Sequence, residues 1–349
     1  MKTLICKVNA EKPEQDIISQ AGKILREGGL VAFPTETVYG LGGNALDAAA
    51  SEKIYAAKGR PSDNPLIVHI ARMEDLEKIV TGVPKKAKIL AEACWPGPLT
   101  MILPKSEKVP YETTGGLDSV AVRYPSHPVA QALILAAGGF VAAPSANTSG
   151  RPSPTTAAHV QEDLTGAVDM ILDGGQVGIG IESTIVDFTE KIPTVLRPGY
   201  ISLEKLKELL GEVKMDKGLL RADASQRPKA PGMKYRHYAP KAELTIVEGS
   251  TEYVVAYINQ KAKEASKRGR QIGIIGTEET FPYYSSGVVR CIGSRKKEEG
   301  IALHLYEVLR DFDQCEVEAI YSESFDTPKM GQAIMNRLSK AAGYKIVRV

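Results

Sequence analysis

Two cations, Lys58 and Arg60, stand inside the run Lys58-Gly59-Arg60-Pro61-Ser62-Asp63-Asn64-Pro65-Leu66, just before an apolar stretch that ends at His69 and Ile70. Glycine lets backbone come close to a ligand and proline fixes a turn. A guanidinium grips phosphate oxygens through two parallel bonds, and an ammonium adds a point charge. The segment is therefore an anion-binding corner or, taken alone, a solvated basic turn. Neither G-x-x-x-x-G-K-[ST] nor G-x-G-x-x-G follows any strand-like run, so bound phosphates would be held by side chains. Lys58, Arg60 and Arg197 are the natural cations for that task, with the hydroxyls of Ser145 and Ser153 and the amide of Asn64 beside them.

Other stretches carry hydroxyls at the ends of apolar runs. They are Phe33-Pro34-Thr35-Glu36-Thr37-Val38-Tyr39-Gly40-Leu41-Gly42, Ala142-Ala143-Pro144-Ser145-Ala146-Asn147-Thr148-Ser149-Gly150, and Ile181-Glu182-Ser183-Thr184-Ile185 with Arg197-Pro198-Gly199 behind them. Together with the Lys58 segment they closely resemble the family of threonylcarbamoyl-AMP synthases. The run Pro231-Gly232-Met233-Lys234-Tyr235-Arg236-His237-Tyr238-Ala239-Pro240 points to the two-domain Sua5 type. The resemblance spans nearly the whole chain, in long and ordered motifs.

That resemblance implies a nucleotidyltransferase that joins L-threonine, bicarbonate or CO2, and ATP into threonylcarbamoyl-adenylate with release of pyrophosphate. The product feeds the t6A modification of tRNA through a separate transferase machinery, and direct tRNA binding is left open. Lys58 and Arg60 are the expected catalytic cations. ATP contacts are expected at Lys58, Arg60, Asn64, Ser145, Asn147, Ser153 and Arg197, and threonine contacts at Thr37, His69, Arg123, Ala143 and Ser183. Arg123, at a strand end, suits the substrate's carboxylate. Rejecting serine or valine depends on fitting both hydroxyl and methyl, because an unmade buried hydrogen bond penalises the wrong substrate. Magnesium is expected to travel with the triphosphate, and no protein metal ligand is assigned, because no dense carboxylate cluster suggests a cage.

The elements that must position these residues read as short apolar strands at Leu30 to Phe33, Leu66 to Ile70, Leu99 to Leu103, Val120 to Val122, Phe140 to Ala143, Met170 to Leu172, Thr184 to Phe188 and Thr194 to Leu196. Helical patterns fall at Asp47 to Lys58, Pro84 to Ala93, Pro128 to Ala137, Thr155 to Asp163 and Ser202 to Leu210, with Asp47 and Thr155 as N-caps. This predicts a mixed α/β domain over residues 1–213. The resemblance implies a YrdC-like twisted open mixed sheet around a concave basic cleft. Residues 214–241 lose the periodicity and read as a linker. Its Tyr235, Arg236, His237 and Tyr238 suit a lid over the first domain's cleft, with Tyr235, His237 and Tyr238 near the nucleotide. A plain structured linker is the alternative.

Residues 242–349 alternate strand and helix: Leu244 to Val247, Glu252 to Ser266, Gln271 to Gly276, Val288 to Ile292, Glu298 to Leu309, Val317 to Tyr321, and a last helix capped at Thr327-Pro328. That alternation predicts a smaller Rossmann-like α/β domain with a parallel sheet. The chain's 349 residues suit two domains, and its hydrophobic share of 43% suits a globular protein.

A net charge of +2 is too small to announce a nucleic-acid binder. An RNA-binding module that uses the basic cleft without ATP turnover is the rival reading. A hydrogenase-maturation carbamoyl transferase would need paired C-x-x-C motifs, which Cys6, Cys94, Cys291 and Cys315 do not form. Those scattered cysteines, with no signal-peptide core and no membrane-length apolar run, predict a cytoplasmic protein without a membrane partner. Ser145 lacks the G-x-S-x-G elbow of a serine hydrolase. Cys94, beside the lone Trp95, reads as packing. His69 alone would be a core or strand-edge histidine; the resemblance makes it a ligand.

Overall fold

The computed structural model describes residues 2–216, 218, 228–231, 237–325 and 329–349. The chain divides into two compact units. The first comprises Met1–Ser149, Ser153–Gly178 and Glu182–Tyr235; the second comprises Gly150–Pro152, Ile179–Ile181 and Arg236–Val349.

The first unit is built on strands β1 (Leu4–Lys7), β2 (Val31–Phe33), β3 (Gly40–Asn44), β4 (Ile67–His69), β5 (Leu99–Pro104), β6 (Ser119–Arg123), β7 (Val141–Ala142), β8 (Met170–Asp173), β9 (Thr184–Asp187), β10 (Thr194–Arg197) and β11 (Lys214–Met215). They form one mixed sheet in the order β1-β8-β2-β3-β7-β4-β6-β5-β9-β10-β11. Neighbours β1 and β8, β4 and β6, and β5 and β9 run parallel, while β2 and β3, β5 and β6, and β9 and β10 run antiparallel.

Alternation along the strands sorts side chains between the two faces. On one face Ala32, Leu41, Val68, Met101 and Val122 join Ile54, Leu90, Val160 and Leu206 from four helices. On the other, Val31, Phe33, Val141 and Leu172 pack against Ile18, Leu25, Val129 and Leu133 of the helices Gln15–Arg26 and Pro128–Ala136. Farther along that second face lies a small cluster of Ile67, Ile102, Ala121, Ile185 and Leu196, whose only member outside the strands among the described residues is Ala230. His69, Thr100 and Arg123 share this buried face by the two-residue period.

Two departures from expectation have clear causes. The glycine-rich β3 reads poorly as a strand, yet it needs small residues. A Cβ on Gly42 would lie 2.9 Å from Val141 Cγ1 and 3.0 Å from Phe33 Cε1. The cap of helix Ala157–Leu164 is Thr156, whose hydroxyl accepts from His159 N at 3.4 Å, and not Thr155, whose own hydroxyl sits 3.4 Å from the His159 ring. Asp47 caps Ala48–Lys58 as expected, accepting from Ala49 N at 2.9 Å. The helix Gln15–Arg26 and strand β1, absent from the sequence reading, also belong to this unit.

The second unit holds β12 (Glu243–Glu248), β13 (Gly273–Gly276), β14 (Val288–Cys291), β15 (Ala319–Glu323) and β16 (Ile346–Arg348), all parallel, in the order β14-β13-β15-β12-β16. The expected parallel sheet is there. Its order sets the fourth strand of the unit between the first and second, unlike the usual dinucleotide-binding order. Val254, Ile258, Ala262 and Ala265 of helix Thr251–Lys267 cover Val247 and Ile274. The final helix, Gly331–Ala341, begins after Met330; Thr327-Pro328 lies outside the described residues. No described helix is long and apolar enough to cross a membrane.

The pairing of helices Gln15–Arg26 and Pro128–Ala136 depends on Gly22, because a Cβ there would stand 2.6 Å from Ala136 Cβ and 2.7 Å from its carbonyl carbon. Helix propensity alone would make Gly22→Ala stabilising by about 1 kcal/mol. Overpacking reverses the sign, and we expect a net loss of about 1–3 kcal/mol in denaturant unfolding. A stabilised variant would contradict this packing.

Candidate functional site

Lys58 closes helix Ala48–Lys58, and Gly59 ends that helix by taking φ +60°, a left-handed conformation that favours glycine. Gly59 N then donates to Ala56 O at 3.1 Å and Arg60 N to Tyr55 O at 2.9 Å. The turn directs Lys58 inward. Its Nζ donates to Ser145 O at 2.5 Å and to Asn147 O. Ser145 Oγ donates to Asn147 Oδ1 at 2.5 Å, and a β-bridge between Gly40 and Ser145 anchors this loop against the start of β3. Arg60 donates through Nε and Nη2 to Asn64 O and through Nη2 to Pro65 O at 3.0 Å. Asn64 is buried, and among the described residues its Oδ1 has no hydrogen-bond partner.

The threonine-site candidates line up along the sheet. In register, His69 of β4 faces Val141 of β7 on one side and Arg123 of β6 on the other; Arg123 in turn faces Thr100 of β5. Ala143 N, just past β7, donates to Ile67 O at 2.8 Å. Thr100 Oγ1 and Ser183 Oγ are 2.7 Å apart, and Arg197 donates to Ser183 O at 3.1 Å and to Ser183 Oγ at 3.2 Å. Thr37 Oγ1 lies 2.9 Å from Thr35 Oγ1, which is 3.5 Å from Arg123 Nη2. Ala143, His69, Arg123, Ser183 and Arg197 thus fall on or beside adjoining strands, with Thr37 joined through Thr35. Ser153 donates to Glu182 Oε1 at 2.6 Å, next to Ser183.

The four cations Lys58, Arg60, Arg123 and Arg197 are 2%, 9%, 4% and 4% exposed. None is a surface charge, so the solvated-turn alternative for Lys58 and Arg60 does not hold. Two side chains missed by sequence reasoning complete the row. Thr100 could have been found as the polar residue inside an apolar strand. Glu36 lies inside a motif already singled out, and its Oε1 sits 2.8 Å from Arg123 Nη2.

Three further residues are expected to contact the nucleotide. Tyr235 falls outside the described residues. His237 and Tyr238 belong to the second unit, where Tyr238, at φ +64°, stacks on Tyr306 with centroids 5.2 Å apart and adjoins the His237 ring at 5.6 Å.

His69 is neutral. Its Nδ1 lies 3.1 Å from Ile67 O, which can only accept, so that nitrogen carries the proton. Burial, reinforced by the charge of Arg123, pulls its pKa down to about 3, against about 6.5 in an unfolded chain. Between those values the unfolded chain binds a proton that the folded protein refuses. Stability is therefore complete above pH 6.5 and falls as pH drops toward 3. Between pH 7.5 and pH 5 the parent should lose roughly 2 kcal/mol more than His69→Gln in chemical unfolding. Equal losses would contradict a buried neutral imidazole.

Residues 23–199 match a family model described as telomere recombination, and residues 201–343 match one described as threonylcarbamoyl-AMP synthase, C-terminal domain. The chain is 50% identical over 332 residues to the threonylcarbamoyl-AMP synthase of Bacillus subtilis strain 168, covering 95% of this chain and 94% of that one. It is 47% identical over 347 residues to the threonylcarbamoyl-AMP synthase of Pyrococcus abyssi, covering 99% and 100%. The crystal structure of P. abyssi Sua5 complexed with L-threonine matches at a TM-score of 0.94 and 46% identity, covering 99% of this chain and 100% of that chain. The chain belongs to the family of two-domain threonylcarbamoyl-AMP synthases.

Proposed function

We propose that this chain is an L-threonylcarbamoyladenylate synthase that converts L-threonine, bicarbonate and ATP into threonylcarbamoyl-AMP, pyrophosphate and water. The observation that carries the reading is the row Ala143, His69, Arg123, Thr100 and Ser183 along adjoining strands, ending in Arg197. In this reading Arg123 receives the amino acid's carboxylate. His69, protonated at Nδ1, offers only an acceptor at Nε2, which suits the substrate hydroxyl, while Thr37, Ser183 and the backbone at Ala143 address the amine and methyl. A hydroxyl left without its acceptor penalises valine, and a void in place of the methyl penalises serine.

ATP belongs at the other cations: Lys58, Arg60 and Arg197 for its phosphates, with Asn64, Ser145, Asn147 and Ser153 as polar partners. The buried, unpartnered Asn64 Oδ1 supports a ligand there. The amine, once carboxylated, presents a carbamate oxygen to the α-phosphorus, and pyrophosphate leaves. No covalent enzyme intermediate is needed, so the protein's part is alignment and neutralisation of developing charge. Among the described residues no His, Cys, Asp and Glu grouping could hold a metal. Magnesium carried on the triphosphate's own oxygens would supply charge neutralisation. Family resemblance supports extending the nucleotide contacts to Tyr235, His237 and Tyr238, the division into a 1–213 catalytic domain, a 214–241 lid and a 242–349 domain, a concave basic cleft, and use of the product in tRNA t6A synthesis in the cytoplasm.

Pyrophosphate release should require ATP, bicarbonate and L-threonine together and fall steeply with L-serine. Lys58→Met or Arg60→Gln should lower kcat/KM by about 10²–10³-fold, the scale of one lost electrostatic stabiliser. Release without threonine would overturn the reading. So would salt-sensitive RNA binding with no turnover, which is the signature of an RNA-binding module.

A further inference from the structure

We propose that Glu36 is an internal stand-in for the substrate's carboxylate. It occupies Arg123 while the amino-acid site is empty and is displaced when L-threonine arrives. The inference rests on the reading of Arg123 as the carboxylate receptor.

Glu36 sits at the tip of a tight turn after β2. The Thr35 hydroxyl shapes this turn by accepting from Thr37 N at 3.2 Å and Val38 N at 3.3 Å and by donating to Val38 O at 2.7 Å. The turn puts the carboxylate on a guanidinium that is central to the row of site residues. The side chains of Arg123 and Glu36 are 5% and 14% exposed, so this pair is largely out of water.

A carboxylate built to stay on an arginine makes two parallel N–H···O bonds. This one does not. Its Oε1 lies 2.8 Å from Nη2, yet among the described residues neither Glu36 oxygen makes an aligned hydrogen bond and Arg123 Nε has no hydrogen-bond partner. A desolvated pair with its hydrogen bonds unmade gains Coulomb energy but leaves most of the desolvation cost unmatched. A carboxylate free to orient, such as that of an α-amino acid, can make the bidentate fork that Glu36 misses.

Burial pulls the His127 pKa down against the opposing charge of Glu36, and its Nδ1 accepts from Val129 N at 3.2 Å, so the neutral ring carries its proton on Nε2. The stand-in also has a use. With Arg123 neutralised, the empty threonine site does not attract the phosphates of ATP, and the two substrates are kept to separate cations.

An internal competitor lowers apparent affinity by the fraction of time it holds the site, and removing it returns that factor. Calorimetric titration of the full chain with L-threonine, without ATP, tests this in the parent, Glu36→Gln, Glu36→Ala and Arg123→Met. Glu36→Gln should bind L-threonine about three- to tenfold more tightly than the parent, a gain that a merely structural role would not produce. Glu36→Ala takes its place if the thermal melt of the Gln variant departs from the parent's. Arg123→Met should lose measurable binding. Unchanged or weaker affinity at position 36, with binding lost in Arg123→Met, overturns the stand-in alone. Parent-like affinity in Arg123→Met overturns the carboxylate reading beneath it.

Discussion

A cation taken out of water must find oxygens to replace its hydration shell, or the folded state bears a penalty of several kcal/mol. The first unit faces that requirement at Lys58, Arg60, Arg123 and Arg197. Much of its local structure follows. Lys58 calls for the carbonyls of Ser145 and Asn147, so the 144–147 loop must lie against β3. Arg197 is met by Ser183, whose hydroxyl is steadied by Thr100 across the sheet. Arg60 folds its own turn around the carbonyls of Asn64 and Pro65. The loops that would hold a substrate are the same loops that keep the cations solvated by protein, which explains why hydroxyls and carbonyls crowd the strand ends.

Sheet pairing then converts sequence-distant positions into neighbours. Residues 69, 100 and 123 lie on β4, β5 and β6 and residue 143 just past β7; only β5 and β6 are neighbours in both chain and sheet, and the order β7-β4-β6-β5 brings the four together. A short strand with alternate residues fixed on one face is a rigid mount, and a site mounted on several such ends is held more tightly than one built from a single loop. Opposite that face, the helices that bury Ile54, Leu90 and Leu206 supply the stability.

Much of this was legible in the chain. Apolar runs such as Leu99 to Leu103 and Val120 to Val122 became β5 and β6 within a residue or two, because buried strands are written as continuous β-branched and aliphatic stretches. The glycine-rich β3 was not legible as a strand, since local propensity argues against Gly40-Leu41-Gly42-Gly43 and only the close approach of Val141 and Phe33 explains it. The helix Gln15–Arg26 does carry an amphipathic pattern in Ile18, Ala21, Gly22 and Leu25, so its omission lies with the reading. At the site, charged and hydroxylated residue types were visible, but partners were not. That Glu36 lies against Arg123, or that Thr100 supports Ser183, depends on strands far apart in sequence. The second unit offered the least. Its buried Glu323 is met by Thr280, Tyr284 and Arg295, so both carboxylate oxygens have partners inside the unit.

The most direct test of the account is a crystal structure of the full chain with L-threonine and a non-hydrolysable ATP analogue. The account predicts phosphate oxygens against Lys58, Arg60 and Arg197 and the threonine carboxylate on Arg123, with its hydroxyl toward His69. A triphosphate bound away from those three cations, or a threonine carboxylate that leaves Arg123 untouched, would contradict it.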